Sequence, residues 1–290
     1  MESGGSGVTD EGTTEHPTGR RWHAGRWVLV GLFVVVVVGA GVVGARYVFR
    51  DRPDPKSVDA AVDDYRRGSA PTSSAGASVR LPAAGVYELS GSGRETISFP
   101  PNSQDDGATM PGSVERLPGN CFRWRVDYNE AHWHQWDFCR DGEDLLLGTQ
   151  KNSQRWDFGS IKVENVGDFL CDPPQRYPIG APTGTVTTGT CSGTNTAVPG
   201  TSQTDDRTEV IGPEKLRIGS ATVAAVHLRQ SDTLTGAQTG DNTVDWWFDP
   251  RTGLPLRAVR SYRLDTASPV GTITYTEEGQ WQLTDLEPRQ

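Results

Sequence analysis

The chain has 290 residues, 34 of them glycine and 19 proline, and a formal net charge of −9. Residues 1–56 hold seven basic and six acidic side chains, which leaves residues 57–290 at −10. A domain that acidic cannot neutralise a phosphate backbone, which argues against nucleic acid as a partner, and the abundance of Gly, Pro and Thr suits short strands and tight turns better than a helical bundle.

Residues 1–26 are Gly, Ser, Thr and charge with almost no apolar content, and they read as a disordered tail. Nineteen uncharged residues follow between Arg26 and Arg46, WVLVGLFVVVVVGAGVVGA. As a helix they cover about 28 Å, close to the thickness of a bilayer's hydrocarbon core. Residues 27–46 are therefore predicted to be a transmembrane helix, with Trp22, Trp27 and Tyr47 at interfacial depth. A cleaved signal ending near Val43-Gly44-Ala45 is the competing reading, disfavoured by the length of the apolar run. Basic residues flank both ends, so the positive-inside rule does not orient the span. The cysteines do: all four lie downstream of it, an even number suited to disulfides in an oxidising compartment. The expected topology is a single-pass protein of the cell membrane, N-terminus in the cytoplasm and the large domain outside.

Residues 47–79 read as a juxtamembrane linker holding a short helix near 57–67. Ser57 is its N-cap, and Val58, Ala61, Val62 and Tyr65 share one face. From residue 80 to 288 the chain alternates strand patterns with turn signals. The clearest runs are VYELSGSGRETISF, DLLLGTQ, QRWDFGSIKVENV, TEVIGPEKLRI, ATVAAVHLRQSDTL, NTVDWWFDP, GLPLRAVRSYRL and VGTITYTEE. About a dozen short strands at this spacing predict an all-β domain. An antiparallel meander is expected, forming a curved sheet or open half-barrel.

The segment VDYNEAHWHQWDFC, 126–139, concentrates histidine, acid and tryptophan. If Cys121 faces Cys139 across a hairpin, Phe122 faces Phe138, Trp124 faces Trp136, Val126 faces His134 and Tyr128 faces His132. On the other side Arg123 faces Asp137 and Arg125 faces Gln135. Cross-strand aromatic and opposite-charge pairs favour this register. The other two cysteines enclose a Pro- and Gly-rich segment with too little apolar content to order itself. Of three possible connectivities, Cys121–Cys139 with Cys171–Cys191 is preferred on sequence proximity.

His132 and His134 are two apart, so on a strand they point to one side. They are half of a metal site. Glu130 and His227 are the candidate third ligands, and neither is placed by spacing. No metal or other cofactor is therefore expected. A metal-dependent hydrolase using His132 and His134 is the alternative. No Gly-x-Ser-x-Gly elbow, zincin helix, Walker loop or dinucleotide fingerprint is present.

In DWWFDPRTGLPLRAVRSYRL, 245–264, the residues Trp247, Asp249, Pro250, Thr252, Gly253, Leu254, Pro255, Leu256 and Arg257 form a strand–turn–strand unit. It resembles a unit of the LolA/LppX-like lipoprotein carrier superfamily. That resemblance implies a strongly curved antiparallel half-barrel that binds acyl chains between its concave sheet and helices. In style the whole chain is also similar to single-pass envelope proteins of high-GC Gram-positive bacteria. Trp246 and Trp247 must face opposite sides of their strand, so one should be core and the other lies under a second layer or on a binding surface. The function expected is non-enzymatic: an extracytoplasmic binding module for an apolar envelope molecule or a protein partner. A structural envelope component is a further alternative.

Overall fold

The computed structural model describes residues 53–68 and 80–290. The predicted tail and transmembrane helix, residues 1–46, lie outside the described residues, as does much of the linker. Among the described residues no helix is long and apolar enough to cross a membrane.

One helix, α1 (Val58–Gly68), precedes thirteen strands. These are β1 (Gly85–Ser98), β2 (Pro101–Asp105), β3 (Thr109–Leu117), β4 (Cys121–Asn129), β5 (His132–Asp141), β6 (Asp144–Asp157) and β7 (Lys162–Tyr177). There follow β8 (Val186–Asn195), β9 (Val198–Ile218), β10 (Ala221–Gly236), β11 (Gln238–Phe248), β12 (Pro255–Ser268) and β13 (Gly271–Leu283). From β3 to β13 each strand pairs antiparallel with the next, the expected meander. The expected open edge is absent. β13 pairs with β1 from Leu89↔Leu283 to Ile97↔Tyr275, and the sheet closes into a barrel of twelve strands. Closure satisfies both rows of edge hydrogen bonds, which an open half-barrel would leave to solvent. The first half of β1 pairs with β3 and its second half with β2. β2 thus completes the wall above the short β4–β5 hairpin, where Asn102 Nδ2 donates to the Asp157 carbonyl at 3.1 Å.

The resemblance implied helices inside a half-barrel. Among the described residues the one helix lies outside the barrel. Ser57 caps it, accepting from the Ala60 N–H at 3.1 Å. Its apolar stripe of Val58, Ala61 and Val62 covers Val86, an outward residue of β1.

The cysteine hairpin takes the predicted register. Cys121↔Cys139, Phe122↔Phe138, Arg123↔Asp137, Trp124↔Trp136, Arg125↔Gln135 and Val126↔His134 are paired. Arg123 donates to both Asp137 oxygens at 2.8 Å. The expected Tyr128–His132 pair is displaced by a bulge, which sets Asn129 opposite His132. The Asn129 side chain accepts from the Ala131 N–H at 2.7 Å and organises the tight turn. Disulfides join Cys121 to Cys139 and Cys171 to Cys191.

Two strand readings are corrected. QRWDFGSIKVENV is two strands, broken after Asp157, whose side chain accepts from the Gly159 N–H. The segment 171–191 is barrel wall: β7 runs on to Tyr177 and β8 starts at Val186.

The interior is layered along the barrel axis. Phe122, Phe138, Tyr177 and Phe248 plug one end, packed mostly edge to face at 5.4–6.0 Å. Above them stand four indoles. Trp136 meets Trp246 at 5.1 Å, and Trp281 lies 5.6 Å from Trp124 and 6.1 Å from Trp246. Beyond this belt the interior becomes polar and then opens.

Candidate functional site

Above the indoles two buried polar groups face each other. The first is built on β5, β12, β13 and β1. His132 and His134 share one side of their strand as predicted; that side is the barrel interior, and their Nε2 atoms are 3.2 Å apart. Glu277 Oε2 lies 3.8 Å from each of those nitrogens. Glu277 also pairs with the guanidinium of Arg260, which reaches Asp106 Oδ2 at 2.6 Å and lies 3.7 Å over the Tyr128 ring. The Tyr275 hydroxyl is 2.7 Å from both Glu277 Oε2 and Glu95 Oε2. Glu95 accepts from the Gln104 amide, and its Oε1 lies 3.5 Å from His132 Nδ1.

Two glycines in the β1–β13 seam make room for the arginine. Gly93 and Gly279 are paired directly across it. A Cβ on Gly279 would lie 2.6 Å from Arg260 Nη1, and one on Gly93 would lie 2.1 Å from Asp106 Oδ2. Larger residues at either position would collide with the ion pair.

Burial sets the protonation of this group. It lowers both histidines, His134 to about 4, so both imidazoles are neutral at ordinary pH. Burial works against ionising Glu277 too, but Arg260 outweighs it and holds that carboxyl well below the usual carboxylate range. Glu95, buried and facing Glu277, is raised well above that range.

The second group lies on β9 and β10, where Asp206 is paired opposite Asp232. Burial raises both carboxyls. Gln230 donates to Asp232 at 2.9 Å and accepts from the Tyr177 hydroxyl at 2.5 Å.

Between these groups and the open end lies a cavity in two parts. The inner part, of about 90 Å³, is floored by Trp136 and Trp246 and lined by the amides of Gln150, Asn152, Gln154, Gln230, Gln238 and Asn242. The outer part, of about 450 Å³, shares Asn152, Gln154, Gln238, Leu264 and Tyr275 with the inner one. Its wall is mainly apolar, with Ile97, Trp156, Phe158, Val163, Leu264 and Ile273. That volume is within the range of small-molecule sites. The rim is apolar as well. Phe99, Ile161 and Val270 sit at the β1–β2, β6–β7 and β12–β13 tips and are 49, 62 and 64% exposed.

The other residues singled out in the sequence lie elsewhere. Glu130 is exposed at the β4–β5 turn, outside the histidine cluster. His227 lies on the outer wall, where its ring nitrogens are 2.8 Å from Glu214 and 2.7 Å from Asp245. The third residue beside His132 and His134 is Glu277, not either of these. Trp246 is buried beneath the cavity, while Trp247 is covered on the outer face by His227, stacked at 4.2 Å, and by Arg257 at 4.6 Å. Neither indole is open to solvent. Sequence reasoning missed Glu277 and Arg260 because barrel closure, not local spacing, brings them to β5. The one available signal was two charged residues at inward positions of apolar–polar alternating strands.

The fold and cavity define a closed, disulfide-bonded antiparallel β-barrel, plugged at one end and open through an apolar mouth at the other. No family model matches the chain, and no curated protein does. Among solved structures the chain is similar to the crystal structure of the hypothetical lipoprotein YmcC from Escherichia coli (K12). The identity is 12% over 77% of this chain and 98% of that chain, with a TM-score of 0.32. The barrel assignment rests on the strand pairings of this chain.

Proposed function

We propose that the barrel is a membrane-anchored, extracytoplasmic binding module. Its ligand is an amphiphile of the envelope: an apolar body with one uncharged hydrogen-bonding group. The observation that carries this reading is the two-part cavity, apolar at the mouth and amide-lined inside. An apolar chain would fill the mouth and gain about 25 cal/mol per Å² buried. The amides would pair with the polar group, since burying it unpaired would cost several kcal/mol (about 2–7).

The Asp54 carbonyl accepts from the Glu130 N–H beside the β4–β5 turn, and α1 lies farther toward the plugged end, so the described chain runs from the mouth side toward the plug. Disulfides in the wall support an oxidising compartment.

Native mass spectrometry of the full chain, extracted from its own membrane in detergent, tests the reading. One bound amphiphile per chain is expected, and it should be lost in Leu264→Glu, which sets a charge in the neck. Chains that are always empty would sink the proposal.

A further inference from the structure

His132 Nε2, His134 Nε2 and Glu277 Oε2 form a triangle with edges of 3.2, 3.8 and 3.8 Å. The point equidistant from its corners is about 2.1 Å from each, the bond length of zinc to imidazole and carboxylate. A hydrogen bond between the rings accounts for one edge. It does not account for the equal approach of Glu277 to both nitrogens. We propose that these three atoms bind one divalent first-row transition metal, of which zinc suits the N₂O donor set best.

Two further features fit. His132 Nδ1 is buried without a hydrogen-bond partner and has Glu95 Oε1 3.5 Å away. A carboxylate behind a ligating imidazole is the usual arrangement that fixes its tautomer, and Glu95 is the positioning residue here. Finally, His134 and Glu277 line the inner cavity. A fourth coordination position is therefore open toward the cavity, where water or a ligand oxygen completes the set.

The site is separate from the amphiphile reading, and either can fail alone. The test is titration of the full chain, stripped with chelator in detergent, with Co²⁺ and then Zn²⁺. Uptake is read by elemental analysis and by the visible d–d bands of Co²⁺. One equivalent should bind, with bands of a four- or five-coordinate N/O site. His134→Ala should abolish the bands. Glu95→Gln should weaken affinity about tenfold or more. His227→Ala, on the outer wall, should change nothing. Tryptophan fluorescence and circular dichroism establish that each variant is folded. Absence of stoichiometric uptake by the folded wild-type chain overturns the proposal. So does uptake that survives His134→Ala or is lost in His227→Ala.

Discussion

Trp246 and Trp247 are consecutive on β11 and end on opposite faces of the barrel wall. Trp246 packs among Trp136, Phe248 and Trp281, while Trp247 is held between His227 and Arg257 on the outside and donates to Glu214 at 2.8 Å. Trp246→Ala should cost about 3–5 kcal/mol, as for a large core truncation. Trp247→Ala should cost about 1–2 kcal/mol, because its partners are flexible side chains that can re-hydrate. Urea unfolding of the two variants gives the comparison. Equal costs would mean that the outer wall is covered by more than these side chains.

Arg260 is the cation against which the buried carboxyl groups of Glu277 and Asp106 are set. Arg260→Met leaves them without it and should cost about 3–5 kcal/mol. Gly279→Ala should cost about 1–3 kcal/mol in the wild-type chain through collision with the guanidinium. In the Arg260→Met background that cost should shrink, since the obstacle is gone. A double-mutant cycle by denaturant unfolding measures the coupling.

The Asp206–Asp232 pair predicts a pH dependence. Burial and the facing Asp206 raise the Asp232 carboxyl. The folded protein therefore keeps a proton that the unfolded chain releases above about pH 4. Stability from this proton is complete below that pH and is lost as pH rises toward the folded value. Asp232→Asn should flatten this decline and, at about pH 8, be more stable than wild type by about 1 kcal/mol or more. Unfolding midpoints across this range decide the matter. A variant with the wild-type slope would place the dependence in another group.

The rim makes its own prediction. Phe99→Ser, Ile161→Ser and Val270→Ser together should change folding stability by no more than about 0.5 kcal/mol each, as surface substitutions do. They should nonetheless weaken flotation of the detergent-free described domain with zwitterionic vesicles. Unchanged flotation would mean that these three side chains make no contact with a bilayer.

The buried Cys171–Cys191 bridge closes a span of 20 residues. Replacing both cysteines by serine should cost about 3 kcal/mol through regained chain entropy. Thermal unfolding measures this directly.

The hairpin at 121–139 was readable in sequence because its pairs are local and chemically distinct: ring on ring, Arg123 on Asp137. Its bulge was not, since Asn129 acts through one backbone contact that any polar turn residue imitates. The start of β9 was missed for another reason. Its inward residues Ser202, Thr204, Asp206 and Thr208 are polar because that part of the interior is polar. The apolar alternation that marks a half-buried strand is therefore absent. Glu277 could not be assigned to the histidines from spacing, because 143 residues separate it from His134 and only closure of the ring joins them. Closure itself leaves no local signature: β1 and β13 alternate like any strand facing a core.

The seam between β1 and β13 joins Leu89 to Leu283, seven residues from the end of the chain. Such long sequence separation makes the final joining slow. The seam cannot form until β13, the last strand of the meander, is in place. During that interval β1 waits with an unpaired edge, open to its neighbours. Closure of this barrel is thus a late step, and the helix α1, packed on Val86 at the outer side of β1, is placed to steady that strand while it waits.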